Sequence, residues 1–149
     1  MSAPLLLFAH RGQRYLVESV AVSEVIALPK VTRMPAPPPF VRGVINHHGS
    51  VLPVVDSDGL LGVGVAPEGE QPATALILAG HETRFVFPVD VTLGLEGREG
   101  LGDSSDPSVD RVVALQGKAV NVVRLGDLLA ALEGGAGRPA DDARGSSTV

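Results

Sequence analysis

The chain contains no cysteine in its 149 residues. Disulfide staples, thiol nucleophiles and zinc–thiolate centres are therefore excluded. Aromatic residues make up only 3%, and lysine occurs twice, at Lys30 and Lys118, within a formal net charge of −5. Nucleic-acid binding needs clustered cations to neutralise phosphates and aromatic faces to stack on bases, and the composition supplies neither. Long hydrophobic runs are also missing. Leu5-Leu6-Leu7-Phe8 is too short for a secretory signal and has no basic cluster before it. Nothing approaches the ~20 apolar residues that span a bilayer. The expected setting is the cytoplasm, with no membrane insertion and no nucleic-acid partner.

What is abundant is aliphatic. Apolar residues are 44% of the chain, with 18 glycines and 12 prolines. That combination predicts a Val, Leu, Ile and Ala core built from short strands rather than long helices. The length fits one compact domain, or two very small subdomains sharing a core. Strands are expected at Leu5–His10, across Arg14–Val22, at Ser23–Leu28, and at Thr74–Ala79, Arg84–Asp90 and Val91–Leu95. The proline-rich stretch Lys30–Pro39 cannot be a helix interior or a central strand. Ser57–Gly62 reads as a turn or a single helical turn, and Gly64–Pro72 and Glu96–Ser108 as loops. Val109–Leu115 and Lys118–Arg124 form a hairpin about Gln116-Gly117. Gly126–Glu133 is the one helix, stopped by Gly134 and Gly135, and Ala136–Val149 is expected to be a disordered tail.

The chain also repeats itself. A shift of 70 residues lays Leu6-Leu7-Phe8-Ala9 on Leu76-Ile77-Leu78-Ala79, and Arg14-Tyr15-Leu16-Val17 on Arg84-Phe85-Val86-Phe87. A shift of 68 lays Val44-Ile45 on Val112-Val113, Gly49 on Gly117, Val54-Val55 on Val122-Val123, and Leu60-Leu61 on Leu128-Leu129. Two similar halves of about five strands each follow. Each half buries too little apolar surface to be secure alone, so the two should pack together, and curling each sheet into a barrel would remove exposed edges.

The densest signal is Pro39 to Asp56, PFVRGVINHHGSVLPVVD. Two β-branched runs, Val44–Asn46 and Val51–Val55, flank the glycine-bearing turn His47-His48-Gly49-Ser50 and predict a hairpin. Asp56 is placed to cap the following turn by accepting backbone N–H bonds. This stretch resembles the CheW family of chemotaxis coupling proteins in Pro39, Gly43, Asn46, Gly49, Pro53, Val54, Val55 and Asp56. Where that family usually has arginine before the turn glycine, this chain has His48. Val89-Asp90 resembles the family's second Val-Asp motif, with Thr92 where the family has valine.

The resemblance spans about Leu5 to Leu132 and implies an all-β fold, two five-stranded SH3-like barrels packed together with a short C-terminal helix. Residues 1–135 would form one CheW-like domain of two intertwined β-barrel subdomains. It further implies a non-enzymatic adaptor without cofactor, coupling the cytoplasmic tip of a methyl-accepting chemoreceptor to the regulatory domain of a CheA-type histidine kinase in a chemosensory array. Carried over, Val20, Val22 and Val25 would face the kinase, and Glu24, Gly43, His48, Val86 and Thr92 would lie near the receptor. The family's glutamate–arginine pair would become Glu24 with His48, replacing a bidentate fork by a single protonation-dependent contact.

Catalysis has weaker support in the residues. Gly49-Ser50-Val51 lacks the nucleophile-elbow frame, and Gly62-Val63-Gly64 is neither followed by a helix nor part of a dinucleotide-binding glycine motif. A metal site would draw on His47 and His48 with Asp56 or Asp58. Neighbours in a strand point to opposite faces, however, so two adjacent histidines reach one ion only if the turn twists them together. No metal is therefore expected. The competing readings are a small β-barrel enzyme, metal- or ligand-dependent, using His47, His48 and Asp56, and a CheW-like protein that binds the kinase but not receptors.

Overall fold

The computed structural model describes residues 3–63, 72–104, 106, 107 and 109–137. Ten strands and two helices follow in chain order: β1 Leu5–His10, β2 Gln13–Glu18, β3 Val22–Ala27, β4 Val41–His47, β5 Ser50–Val55, α1 Ser57–Leu61, β6 Thr74–Gly80, β7 Thr83–Val89, β8 Val91–Glu96, β9 Val112–Leu115, β10 Lys118–Val123 and α2 Leu125–Gly137. The strands form two five-stranded sheets, in the orders β8-β1-β2-β10-β9 and β3-β6-β7-β5-β4. The fold is all-β with a C-terminal helix, as the sequence predicts.

The repeat organises both sheets in the same way, but each sheet takes strands from both halves of the chain. β1 and β2 of the first half pair with β8, β9 and β10 of the second, while β6 and β7 pair with β3, β4 and β5. The halves are therefore exchanged, and one cannot be removed without opening both sheets. Four pairings make the exchange: β2 runs parallel to β10 and β5 to β7, while β1 pairs with β8 and β3 with β6 antiparallel.

Both faces of the inner strands are buried, which explains their continuous apolar runs. Along β1, Leu5 and Leu7 point into a core within the first sheet, with Leu16, Val113, Leu115, Val120 and Val122. Leu6 and Phe8 point the other way, into a core shared by both sheets with Tyr15, Val17, Leu76, Leu78, Phe85 and Phe87. β6 repeats the pattern, with Ala75 and Ile77 facing Ile45, Leu52, Val54 and Val86. Three of the few aromatics meet at this shared core: Phe8 stacks on Tyr15 at 5.4 Å and meets Phe87 edge-on at 6.2 Å. On α2, Leu125, Leu128, Leu129 and Leu132 share one helical face and close the core from one end.

Several boundaries differ from expectation. The strand expected across Arg14–Val22 ends at Glu18, and a 3-10 turn at Ser19–Ala21 redirects the chain into β3 in the other sheet. Gly134 and Gly135 do not stop α2, which runs to Gly137. Glycine ends a helix when it adopts the left-handed conformation, as Gly62 does after α1 at φ 71°; inside a helix it only costs about 1 kcal/mol. The rest of the expected tail, 138–149, and most of the Gly64–Pro72 loop lie outside the described residues. Among the described residues, backbone pairing does not close either sheet: β3 and β4 remain the two ends of one, β8 and β9 of the other.

Candidate functional site

The edge strands β3 and β8 occupy equivalent places in the two halves and come together at a cleft of about 260 Å³ lined by Leu6, Ser19, Val22, Ser23, Glu24, Val25 and Leu95. Apolar side chains stand exposed around it. Leu95 is 64% exposed and Val25 49%; Val20, on the 3-10 turn, is 74% exposed and lines a separate cleft with Gly80 and Leu125. Val22 differs from its neighbours because its side chain packs against the shared core. Of the three valines expected to face a kinase, Val20 and Val25 are exposed and Val22 is half-buried.

At the other side of β3, a turn cluster spans the seam between the ends of its sheet. β4 and β5 pair in register from Ile45–Leu52 to His47–Ser50, leaving His48 and Gly49 as a two-residue turn. Both have positive φ, 51° and 86°, as a type I′ turn requires. Asn46 Oδ1 accepts from the Gly49 N–H at 3.0 Å and fixes the turn. Because His48 leaves the extended conformation, the alternation of faces ends there. The His47 and His48 rings lie 4.1 Å apart, centroid to centroid, tilted by 60°. The partner of Glu24 is His47, not the expected His48: His47 Nε2 and Glu24 Oε2 are 2.8 Å apart. That hydrogen bond is the main cause of the lowered pKa of the Glu24 carboxyl; desolvation opposes it, and the charges of His47, His48 and Arg84 add to the lowering.

Two expected receptor contacts are buried. Val86 is 0% exposed in the centre of its sheet, among Ile45, Val54 and Ile77. Gly43 is buried where the proline-rich segment crosses β4, and Thr32 and Val44 exchange backbone hydrogen bonds there at 2.9 Å. A side chain at residue 43 would collide with the Thr32 carbonyl oxygen, so this glycine serves close backbone approach. Thr92, half-buried on β8, pairs with Phe8.

Asp56 and Asp58 do not join the histidine turn. Asp56 caps α1, accepting from Gly59 N–H at 3.2 Å, and lies 3.7 Å from Arg42. Asp58 is buried and accepts from His10 Nε2 at 2.7 Å and from Arg11 Nε at 3.0 Å. Burial alone would raise its pKa, but the hydrogen bonds from Arg11 and His10, together with their charges, reverse this and hold the carboxyl below its ordinary range. His10 is wholly buried, and its Nδ1 has no hydrogen-bond partner among the described residues, with Asp90 Oδ1 at 3.7 Å. Sequence reading missed this network because it joins residues 48 positions apart. The constellation His47, His48 and Asp56 proposed for an enzyme is not assembled.

A family model described as a CheW-like domain matches residues 4–97. The chemotaxis protein CheW of Bacillus subtilis is 25% identical over 130 residues, which cover 80% of this chain and 81% of that protein. The CheW protein of Rhizobium meliloti is 40% identical over 62 residues, 42% of this chain and 40% of that one. Protein PilI of Pseudomonas aeruginosa is 36% identical over 61 residues, 40% of this chain and 34% of its own length. In structure, the chain superimposes on the scaffolding protein TtCheW from Thermoanaerobacter tengcongensis with a TM-score of 0.68 at 19% identity, covering 86% of this chain and 92% of that one. With the family model matching more than half its length, and the fold shared over 86% of it, this chain belongs to the CheW-like domain family.

Proposed function

We propose that this protein is a non-enzymatic adaptor that couples the cytoplasmic tip of a chemoreceptor to the regulatory domain of a CheA-type histidine kinase. The supporting observation is the cleft between β3 and β8, where Val25 and Leu95 are exposed beside Val22. Edge strands with exposed aliphatic side chains are surfaces that a second barrel or a helical hairpin can cover. The kinase is assigned to Val20 and Val25, with Val22 supporting them from beneath. The receptor is assigned to Glu24, His48 and Thr92. Signal passes as a change in packing between partners, with no covalent chemistry in this chain.

The test is titration calorimetry of the purified chain against the kinase regulatory domain and, separately, a receptor-tip fragment. Val25→Arg places a charge on an exposed position, so it should leave folding intact and weaken kinase binding by at least about tenfold. Val22 is unsuited to this test, because a charge there would disturb the shared core. Saturable kinase binding without receptor binding would reduce the reading to a kinase-only protein. Binding to neither partner would overturn it.

A further inference from the structure

We propose that Glu24, His47 and His48 form a divalent transition-metal site that clips the seam of the second sheet. One ligand atom from each of the three residues lies within 4.8 Å of the other two. On a tetrahedral ion with bonds of 2.0–2.2 Å, neighbouring ligand atoms stand about 3.3 Å apart. Glu24 Oε2 and His47 Nε2 are at 2.8 Å, so this pair needs only a small opening, and His48 only a short swing of an exposed side chain.

The scaffold favours such a chelate. His47 ends β4, and the left-handed His48 turn brings its ring beside that of His47. Glu24 comes from β3, at the opposite end of the same sheet. An ion held by all three would therefore join the two ends that backbone pairing leaves apart. Nothing in the fold demands these ligands, because the other half has Gly94, Leu115 and Gln116 in the corresponding positions. Two imidazoles and one carboxylate suit Zn²⁺, Ni²⁺ or Cu²⁺ rather than Mg²⁺ or Ca²⁺. Arg84 adds positive charge near Glu24, so affinity must come from the three-point chelate and not from the local field. To bind, His47 takes the neutral form protonated at Nδ1, its Nε2 proton passing to water or to Nδ1, and the ion takes that proton's place beside Glu24. Coordination sites left open on the ion face solvent. Since Glu24 also lines the β3–β8 cleft, a bound ion would stiffen one wall of that cleft.

The test uses the full chain with any purification tag removed, titrated with ZnCl₂ at neutral pH by calorimetry and followed by thermal unfolding. One Zn²⁺ per chain and a raised unfolding midpoint are expected, with the imidazole proton resonances of His47 and His48 shifting and those of His10 and His81 unchanged. Glu24→Gln, His47→Gln and His48→Gln should each weaken binding by at least about tenfold. His81→Gln, at an exposed position in the turn between β6 and β7, should leave affinity unchanged. If Glu24→Gln or His47→Gln lowers stability without metal, His48→Gln decides. Absence of saturable binding at millimolar Zn²⁺, or affinity that survives the His48 substitution, overturns the proposal.

Discussion

Replacing Asp58 by alanine isolates the buried polar network. His10 is wholly buried and Asp58 has a side-chain exposure of 6%, whereas Arg11 and Arg42 are 24% and 39% exposed. Without the carboxylate, the two arginines can turn to water, but His10 Nε2 loses its 2.7 Å acceptor and keeps only Ser57 Oγ at 3.5 Å. Breaking a buried pair by removing one partner costs about 3–5 kcal/mol. Because rehydration of the arginines offsets part of this, the expected loss is about 3 kcal/mol. For a domain of this size that lowers the unfolding midpoint by roughly 6–12 °C. The same location in the other half shows that the fold tolerates an apolar solution: there Leu125 packs against Gly80, the counterpart of His10. The double substitution His10→Leu with Asp58→Leu should accordingly recover most of the loss. The pH dependence has a definite sign. Asp58 has a lowered pKa in the folded chain, so its stabilisation is complete above the unfolded value of about 3.9 and is lost as pH falls through the folded value. Thermal unfolding followed by circular dichroism should show wild type well above Asp58→Asn at pH 6, with the gap closing in the acid range. A loss under about 1 kcal/mol for Asp58→Ala, or a gap unchanged from pH 6 to 3, would refute this account of the network.

Three further outcomes are expected. Gly43→Ala should destabilise by about 1–3 kcal/mol, measured by denaturant unfolding, because the new methyl group meets the Thr32 backbone and Val31. Phe87→Ala should cost about 3–5 kcal/mol by the same measurement, since Phe87 is fully buried in the core that both sheets share and loses its edge contact with Phe8. His48→Arg should tighten receptor binding and leave kinase affinity unchanged in paired calorimetric titrations, because a guanidinium at this exposed turn offers a receptor carboxylate two donors where an imidazole offers one. Unchanged receptor affinity would remove His48 from that interface.

The sequence by itself determined a good deal. Its repeat named the equivalent core positions correctly: Leu6 with Leu76, Tyr15 with Phe85, Val55 with Val123 and Leu60 with Leu128 all lie in or against the shared core. Turn chemistry was equally local, so the His48-Gly49 and Gln116-Gly117 turns and the Asp56 cap could be read from a few residues each. Only the tertiary structure decided which strand pairs with which. A repeat says that two segments are alike and is silent on whether they pair within a half or across halves; here β1 and β2 cross over to β8–β10. Burial at the interface candidates followed from that pairing. β7 lies between β6 and β5, which leaves Val86 no path to a partner, whereas β3 ends its sheet and keeps Val25 exposed. The resemblance named His48 as the partner of Glu24, but His48 lies in the left-handed turn and His47, the last residue of β4, makes the contact. The curl of the sheet then carried Glu24 to His47, from 23 residues away in the chain.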